Sequence, residues 1–212
     1  TVKYVDEIEY TDIGDVLLTG ATGFLGVHVL NEIIKHTQSK VYCLVRKGKA
    51  NSIESRLKNM LVYYFSDGMD DLFGKRIIPI EGDITDKEIV SSLEKYDFKT
   101  VINCAACVKH FTNDDTLERI NVHGVENLIS MCIKTGRRLV QISTTSVAGV
   151  NVNRKFPPEK KIHENELYFG QDLTNKYIDT KFRGEKAVLE AIASDELDGK
   201  IIRVGNLMSR NS

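Results

Sequence analysis

The chain has 212 residues and a formal net charge of −1. That length supports one sizeable core, and the near-zero charge removes any bulk electrostatic case for nucleic acid or an anionic membrane as partner. Hydrophobic residues make up 42% and charged residues 28%, an ordinary globular balance, and no apolar run is long enough to span a bilayer.

Residues 1–14 are polar and acidic and read as a leader or linker, with the folded domain over 15–212. The start, Thr1 to Glu7, lacks the apolar segment of a signal peptide. It also lacks an initiator Met, which suits a piece of a longer polypeptide. Val16 to Leu18 is a short apolar run, the pattern of a buried parallel strand. Gly20, Gly23 and Gly26 follow. Phe24 to Lys35 then reads as a helix, with Leu25, Val29 and Ile33 on one face. Lys40 to Val45 is a second strand, ending at Arg46-Lys47. Asn51 to Phe65 carries Ile53, Leu57, Met60, Leu61 and Tyr64 at helical spacing. Ser66 to Gly74 is a loop. Arg76 to Glu81 is a third strand, followed by Gly82-Asp83-Ile84. Lys87 to Lys95 is a short helix and Thr100 to Cys104 a fourth strand. Thr116 to Lys134 reads as one long helix with Leu117, Asn121, Gly124, Leu128 and Met131 on its inner stripe. Arg138 to Ser143 is a fifth strand and Val150 to Phe169 a loop containing Pro157-Pro158. Leu173 to Ser194 is a long helix, and Lys200 to Val204 a sixth strand. Short apolar strands alternating with helices predict an α/β domain, a doubly wound parallel sheet covered on both faces.

In such sheets ligands bind beyond the carboxyl ends of the strands. Function is therefore sought at Gly20 to Leu25, Arg46, Asp83, Asn103 to Ala106, Ser143 to Thr145, and Gly205 to Leu207. Strand, glycine turn and helix make a phosphate-binding device. Gly20 permits the turn, Gly23 lets the backbone approach a pyrophosphate, and Gly26 lets the helix pack on the strand. The helix start adds free N–H groups and a positive dipole end. A bare glycine turn is the alternative, but both flanking elements are present, which the motif requires.

Where many dinucleotide folds place an acid for the ribose diol, this chain has Arg46. A guanidinium binds a 2′-phosphate bidentately, which favours NADP over NAD, unless Arg46 is a solvated surface charge. Asp83 can accept from an adenine amino group, or cap a helix starting near Thr85. Tyr177 and Lys181 lie four apart on one helix face, directed inward. A cofactor ribose would partner the lysine, and Lys⁺ would draw the phenol pKa down from about 10, making Tyr177 a general acid. The run Ser143-Thr144-Thr145-Ser146 can hold a carbonyl oxygen, or form a local hydroxyl turn. Asn121 either satisfies nearby backbone or organises a water in the site. Asp70-Asp71 and Asp114-Asp115 read as solvated loop or helix-start acids.

Among the four cysteines, Cys104 and Cys107 form C-x-x-C. A zinc site would need a second ligand pair at similar spacing. Cys43 falls in a strand and Cys132 in a helix, so neither supplies one. The cysteines read as reduced thiols of a cytoplasmic protein. The five histidines show no metal spacing, so no metal is assigned.

Thr19-Gly20-Ala21-Thr22-Gly23-Phe24-Leu25-Gly26, Gly82-Asp83-Ile84, Asn121-Val122-His123-Gly124, Ser143-Thr144 and Tyr177-x-x-x-Lys181 together resemble the extended short-chain dehydrogenase/reductases. More narrowly, the chain is similar to the terminal thioester reductase domain of non-ribosomal peptide synthetases. It is also similar to the reductase domain of carboxylic acid reductases. The narrower likeness rests on Ser55-Arg56-Leu57…Leu61…Tyr64, Ile142 to Val147, and Arg203-Val204-Gly205-Asn206-Leu207, and the resemblance spans nearly all of 15–210. Cys104 and Cys107 depart from the family pattern around Asn103.

The resemblance implies a Rossmann-type fold and a Thr144/Tyr177/Lys181 catalytic trio, with Thr144 rather than Ser143 as the hydroxyl. It implies NADPH as cofactor, bound by Gly20, Thr22, Gly23, Phe24, Leu25, Arg46, Asp83, Ile84, Asn103, Ala105, Ala106, Asn121, Tyr177, Lys181, Gly205, Asn206 and Leu207. It implies an acyl or peptidyl carrier protein bearing a phosphopantetheine thioester as partner, inside a multidomain chain. The reaction implied is reductive release as an aldehyde, or on to the alcohol. The family continues into a C-terminal substrate subdomain, so residues 1–212 alone are expected to bind NADPH and catalyse poorly. The alternatives are a nucleotide-sugar epimerase or dehydratase, a fatty acyl-CoA reductase, and a non-catalytic dinucleotide-sensing or scaffold domain.

Overall fold

Strand β1 (Val16–Thr19) is buried along its whole length. It lies inside a six-stranded sheet with β2 (Val41–Val45), β3 (Ile77–Glu81), β4 (Thr100–Asn103), β5 (Arg138–Thr144) and β6 (Gly199–Val204), in the order β3-β2-β1-β4-β5-β6. Every pairing is parallel, so this is the doubly wound α/β sheet expected from the alternation of elements. The order reverses direction between β1 and β4, and the crossovers there leave a crevice at the strand ends. The computed structural model describes residues 12–48, 52–108, 115–149, 163–168 and 170–207. Most of the leader, Asp114, and most of the Val150–Phe169 loop with Pro157-Pro158 fall outside the described residues.

Alternate strand residues feed two cores, as the two-residue strand period dictates. Val16, Leu18, Val41 and Cys43 pack under helices α1 (Phe24–His36) and α2 (Ile53–Phe65), against Val27, Leu30, Leu57 and Leu61. Leu17, Val101 and Leu139 face the other way, toward α3 (Lys87–Ser92), α5 (Gly124–Thr135) and α6 (Lys176–Ala193), through Val90, Leu128 and Val188. Among the described residues no helix is long and apolar enough to cross a membrane.

The buried face of α1 is rotated from the stripe Leu25-Val29-Ile33 and keeps only its last member. Gly26, Val27, Leu30, Ile33 and Ile34 are buried, while Leu25 and Val29 are only half-buried. Gly26 sets the rotation. A Cβ there would lie 2.1 Å from the carbonyl oxygen of Gly20, so the bare glycine edge must face β1. Gly20 itself has φ +70, and a side chain on it would strike the backbone of Cys104 and Ala105. A Gly26→Ala change should therefore pry α1 off the turn. Overpacking of this kind costs about 1–3 kcal/mol, to be read as a lower urea midpoint with an unchanged m-value. A midpoint equal to the parent's would show that the contact has slack.

Other boundaries move for local reasons. Helix α3 is capped by Asp86, whose side chain accepts from Glu88 N and Ile89 N; its last turn, Leu93–Lys95, tightens to a 3₁₀ turn. Strand β4 stops at Asn103, one residue before Cys104, and β5 runs on to Thr144. Helix α6 starts at Lys176 rather than Leu173, because the Asn175 side chain accepts from Tyr177 N and Ile178 N. The predicted long helix from Thr116 is three segments: α4 (Thr116–Glu118), a π-helical turn (Arg119–His123), and α5. Within the π turn, the Asn121 side chain reaches out to Cys107 and Thr180. Inserted side-chain bonds of this sort locally widen a helix.

Candidate active site

The glycine turn that leads into α1 forms one wall of a crevice of about 330 Å³ at the carboxyl ends of β1, β2 and β4. That volume lies at the small end of the range for ligand clefts, about 300–1,000 Å³. Gly20, Thr22 and Gly23 line it, and so do Arg46, Asp83, Ile84, Ala105 and Ala106. The first turn of α1 carries no acidic residue and its N-cap, Gly23, makes no side-chain cap. Its N–H groups and positive dipole end are thus left for an anion. A pyrophosphate fits such a wall, where a Cβ on Gly20 would fill the turn.

Two cations stand over the far end. Arg46 follows β2, and its Nη1 lies 3.9 Å from Asp83 Oδ2. That pair is long and well exposed, worth roughly 0–1 kcal/mol at most, so the guanidinium remains available. Arg56, from α2, also lines the crevice and donates to the Arg46 carbonyl oxygen. Arg56 is not among the residues expected from the sequence to bind the cofactor. Its signal was present in the helical period, since it follows the Ser52 cap by four residues and stands beside buried Leu57. Cys104, Leu44, Gly82, Thr19 and Ile120 are further lining residues not singled out for the cofactor. Asp83 does not cap α3. Its Oδ1 instead accepts from Thr85 N at 2.9 Å, which holds the turn and leaves the carboxylate facing the crevice.

Several expected contacts are not part of this crevice. The Asn103 side chain is fully buried and lies between two neighbours across the sheet. Thr19 Oγ1 donates to Asn103 Oδ1 at 2.5 Å, and Asn103 Nδ2 donates to Gln141 Oε1 at 2.8 Å. Ala105 N also donates to Asn103 Oδ1. This polar ladder ties the glycine turn to the turn after β4. Asn121, 2% exposed, accepts from Cys107 N and donates to Cys107 O, so its role in the structure is to shape the backbone. Phe24 packs its ring on His28 and Tyr64, and with Leu25 it is outside the lining. Gly205, Asn206 and Leu207 are exposed at the end of edge strand β6.

Thr144, Tyr177 and Lys181 meet where β5 and α6 come together, next to the crevice at Cys104. The Thr144 hydroxyl lies near enough to the Tyr177 phenol to stabilise its phenolate and draw its pKa down. Thr144 Oγ1 also accepts from Ser146 N at 3.1 Å, the local hydroxyl turn weighed above. Ser143 is spent elsewhere, donating to the buried Glu185 carboxylate at 2.5 Å. Lys181 Nζ donates to the Ile142 carbonyl at 2.9 Å.

The electrostatics of the trio differ from expectation. Burial raises the Tyr177 phenol above its ordinary value, partly offset by the Thr144 hydroxyl, and Lys181 is not among the causes. Lys181 is itself drawn down to about 8, by burial first, with the Glu185 charge and then Cys104 pulling the other way. Burial pushes the Cys104 thiol up to about 12, which makes it a poor nucleophile and metal ligand. The four cysteines are free thiols, and among the described residues no group of His, Cys, Asp and Glu gathers as for a metal.

Comparison with known proteins adds the family context. The NAD-binding family model described as male sterility protein matches residues 18–212. The chain is similar to a solved thiolation-reductase di-domain from an archaeal non-ribosomal peptide synthetase, at 50% identity and TM-score 0.85, covering 94% of this chain and 42% of that one. It is similar to the Aureusimine biosynthetic cluster reductase domain, at 30% identity and TM-score 0.76, covering 99% of this chain and 53% of that one. It is also 30% identical to an isonitrile lipopeptide synthase of Streptomyces coeruleorubidus, over 91% of this chain and 13% of that protein. The chain thus spans about half of the solved reductases and a small part of the synthase.

Proposed function

The chain belongs to the NAD-binding family described as male sterility protein, and on that premise we propose that it is the cofactor-binding part of a terminal reductase that uses NADPH to release a carrier-bound acyl or peptidyl thioester as an aldehyde. The observation that carries the reading is the meeting of Thr144, Tyr177 and Lys181 beside the glycine-turn crevice. The likeness to a thiolation-reductase di-domain supports a phosphopantetheine carrier as the partner.

NADPH, when bound, supplies the hydride for the thioester carbonyl. The chain's own residues do the rest. The N–H groups of the α1 start would hold the pyrophosphate, and Arg46 with Arg56 would take the 2′-phosphate. Asp83 would accept from the adenine amino group. The hydroxyls of Thr144 and Tyr177 hold the oxygen on which negative charge develops, as preorganised donors do. Tyr177, with its pKa raised, stays protonated through neutral pH and can give up its proton to that oxygen. The C–S bond of the resulting hemithioacetal then breaks and its hydroxyl proton passes to sulfur, so that aldehyde and free thiol form together. Lys181 would give its ammonium to the ribose hydroxyls.

The direct test is NADPH oxidation by an acyl-pantetheine thioester, run on the intact polypeptide that carries this chain. Aldehyde and free thiol should form together. NADPH binding with no thioester reduction would overturn the reading. A pH dependence accompanies it. Lys181 is charged below about pH 8 and neutral above it, and only the cation favours ribose hydroxyls and the phenolate. The kcat/KM for NADPH, which reports the free protein, should hold below pH 8 and fall above it. Lys181→Arg, always charged, should flatten that limb even if it lowers the plateau. A limb unmoved in Lys181→Arg would assign the titration to another group.

A further inference from the structure

Glu185 is a carboxylate only 2% exposed, in the middle of α6. Burying a charge is costly unless it is paired and fully hydrogen-bonded. Here both oxygens are taken. Oε1 accepts from Arg203 Nε at 2.8 Å and Nη2 at 2.6 Å. Oε2 accepts from Ser143 Oγ at 2.5 Å. Ser143 and Arg203 are register partners on β5 and β6, so the carboxylate spans two adjacent strands from above. Arg203 Nη2 also donates to the Glu166 carbonyl at 2.9 Å, which brings the segment 163–168 onto the same anchor.

The position of this anchor gives it a role. Glu185 lies one turn beyond Lys181 and two turns beyond Tyr177 on the same face of α6. Its partner Ser143 is the residue immediately before Thr144. Tyr177 and Thr144 come from different elements, and the two hydroxyls stay close only if α6 neither slides nor rotates on β5. We propose that Glu185 is a positioning residue for the reaction, holding the helix that carries Tyr177 and Lys181 in register with the strand end that carries Thr144. This inference rests on the catalytic reading of that trio.

A purely structural role explains the site less well. A buried ion pair is a weak source of stability, and an apolar pair of similar volume would hold a helix on a sheet at least as well. An apolar pair would supply neither a directional bond to the residue before Thr144 nor a negative charge one turn from Lys181. The groups acting on Lys181 are Glu185 on its own helix and Cys104 after β4, with Arg203 of β6 behind the Glu185 carboxylate. Of these, Glu185 contributes the largest effect keeping the lysine protonated against its burial.

Three variants of the intact, NADPH-bound polypeptide separate the roles. Ser143→Ala removes the tether and leaves the Glu185–Arg203 pair whole. It should lower kcat about tenfold with KM and NADPH affinity within about twofold, since small misplacements of reacting groups are costly. Glu185→Asp keeps the charge and shortens the reach. It should also lower kcat, with the Lys181 titration midpoint unmoved. Glu185→Gln keeps the reach and drops the charge. It should move that midpoint, followed by NMR of the lysine ε-methylene, down by about one pH unit. If Glu185→Gln fails to fold around an unpaired Arg203, the first two variants decide. Parent-like kcat in Ser143→Ala and Glu185→Asp would overturn the proposal, whatever their melting temperatures. Should the parent itself reduce no thioester, the catalytic reading fails, and the Lys181 midpoint alone decides whether Glu185 controls that lysine.

Discussion

Tyr177→Phe is expected to lower thioester turnover by about 10²–10⁴ and to leave NADPH affinity within about twofold. The size is the usual worth of a positioned general acid. The substitution keeps the ring, which packs with Cys107, Leu117 and Ile178 in a small cluster of its own, so the fold should not notice. It removes the phenolic hydroxyl that lies near Thr144. Thr144 still accepts from Ser146 N, so the strand end should stay in place and the loss should be chemical. Lys181→Ala is expected to behave differently. The lysine is 7% exposed and donates to the Ile142 carbonyl, so its removal should weaken NADPH binding and turnover together. Single-turnover rates with NADPH preloaded separate the two effects. Near-normal rates in Tyr177→Phe would remove the proton-donor role and leave the trio as packing.

The centre of the sheet was legible in the sequence because β1 is buried on both faces and β2 nearly so. Such strands are apolar throughout, so Val16–Leu18 and Val41–Val45 announce themselves without a period to interpret. The crevice was legible for a topological reason, since a doubly wound sheet places its ligands at the carboxyl ends. Gly20, Thr22, Gly23, Arg46, Asp83, Ala105 and Ala106 follow from that topology and Ile84 from the family resemblance, and all line it.

What was not legible depended on contacts distant in sequence. Helix α1 offers two apolar stripes, and periodicity alone cannot choose between Leu25-Val29 and Val27-Leu30-Ile34. The choice is made by the fit of Gly26 against Gly20 O. The π turn is associated with Asn121 reaching 14 residues back to Cys107. Asp83 and Asp86 are equally good cap residues on paper, and the turn at Thr85 separates them. Arg56 and Glu185 look like ordinary charges on amphipathic helices. Only their partners, Arg46 on one side and Ser143 with Arg203 on the other, show that they face inward. The Tyr177–Lys181 pair was found by spacing. Its electrostatics were not, because burial, which raises the phenol and lowers the lysine, depends on the whole fold.

Replacing both Arg46 and Arg56 by Ala is expected to weaken NADPH by about 10²–10⁴ and leave NADH nearly unchanged. Charge-assisted hydrogen bonds are worth roughly 1.5–3 kcal/mol each, so two of them on one phosphate give about 3–6 kcal/mol, the stated range at 1.4 kcal/mol per decade. Arg46→Ala alone should cost NADPH about tenfold to a hundredfold by the same arithmetic. Arg56→Ala should cost a similar amount. The two should not add cleanly, because the Arg56 guanidinium also bonds the Arg46 carbonyl oxygen. That bond survives Arg46→Ala, which removes only a side chain, and disappears in Arg56→Ala, which also loosens the end of β2. A double-mutant cycle on NADPH should therefore show coupling between the two sites, and the same cycle on NADH should show little. The loss should also shrink as salt is added, since both side chains stand near solvent. Losses of equal size for NADPH and NADH would remove the 2′-phosphate from this end of the crevice and return Arg46 to a solvated surface charge.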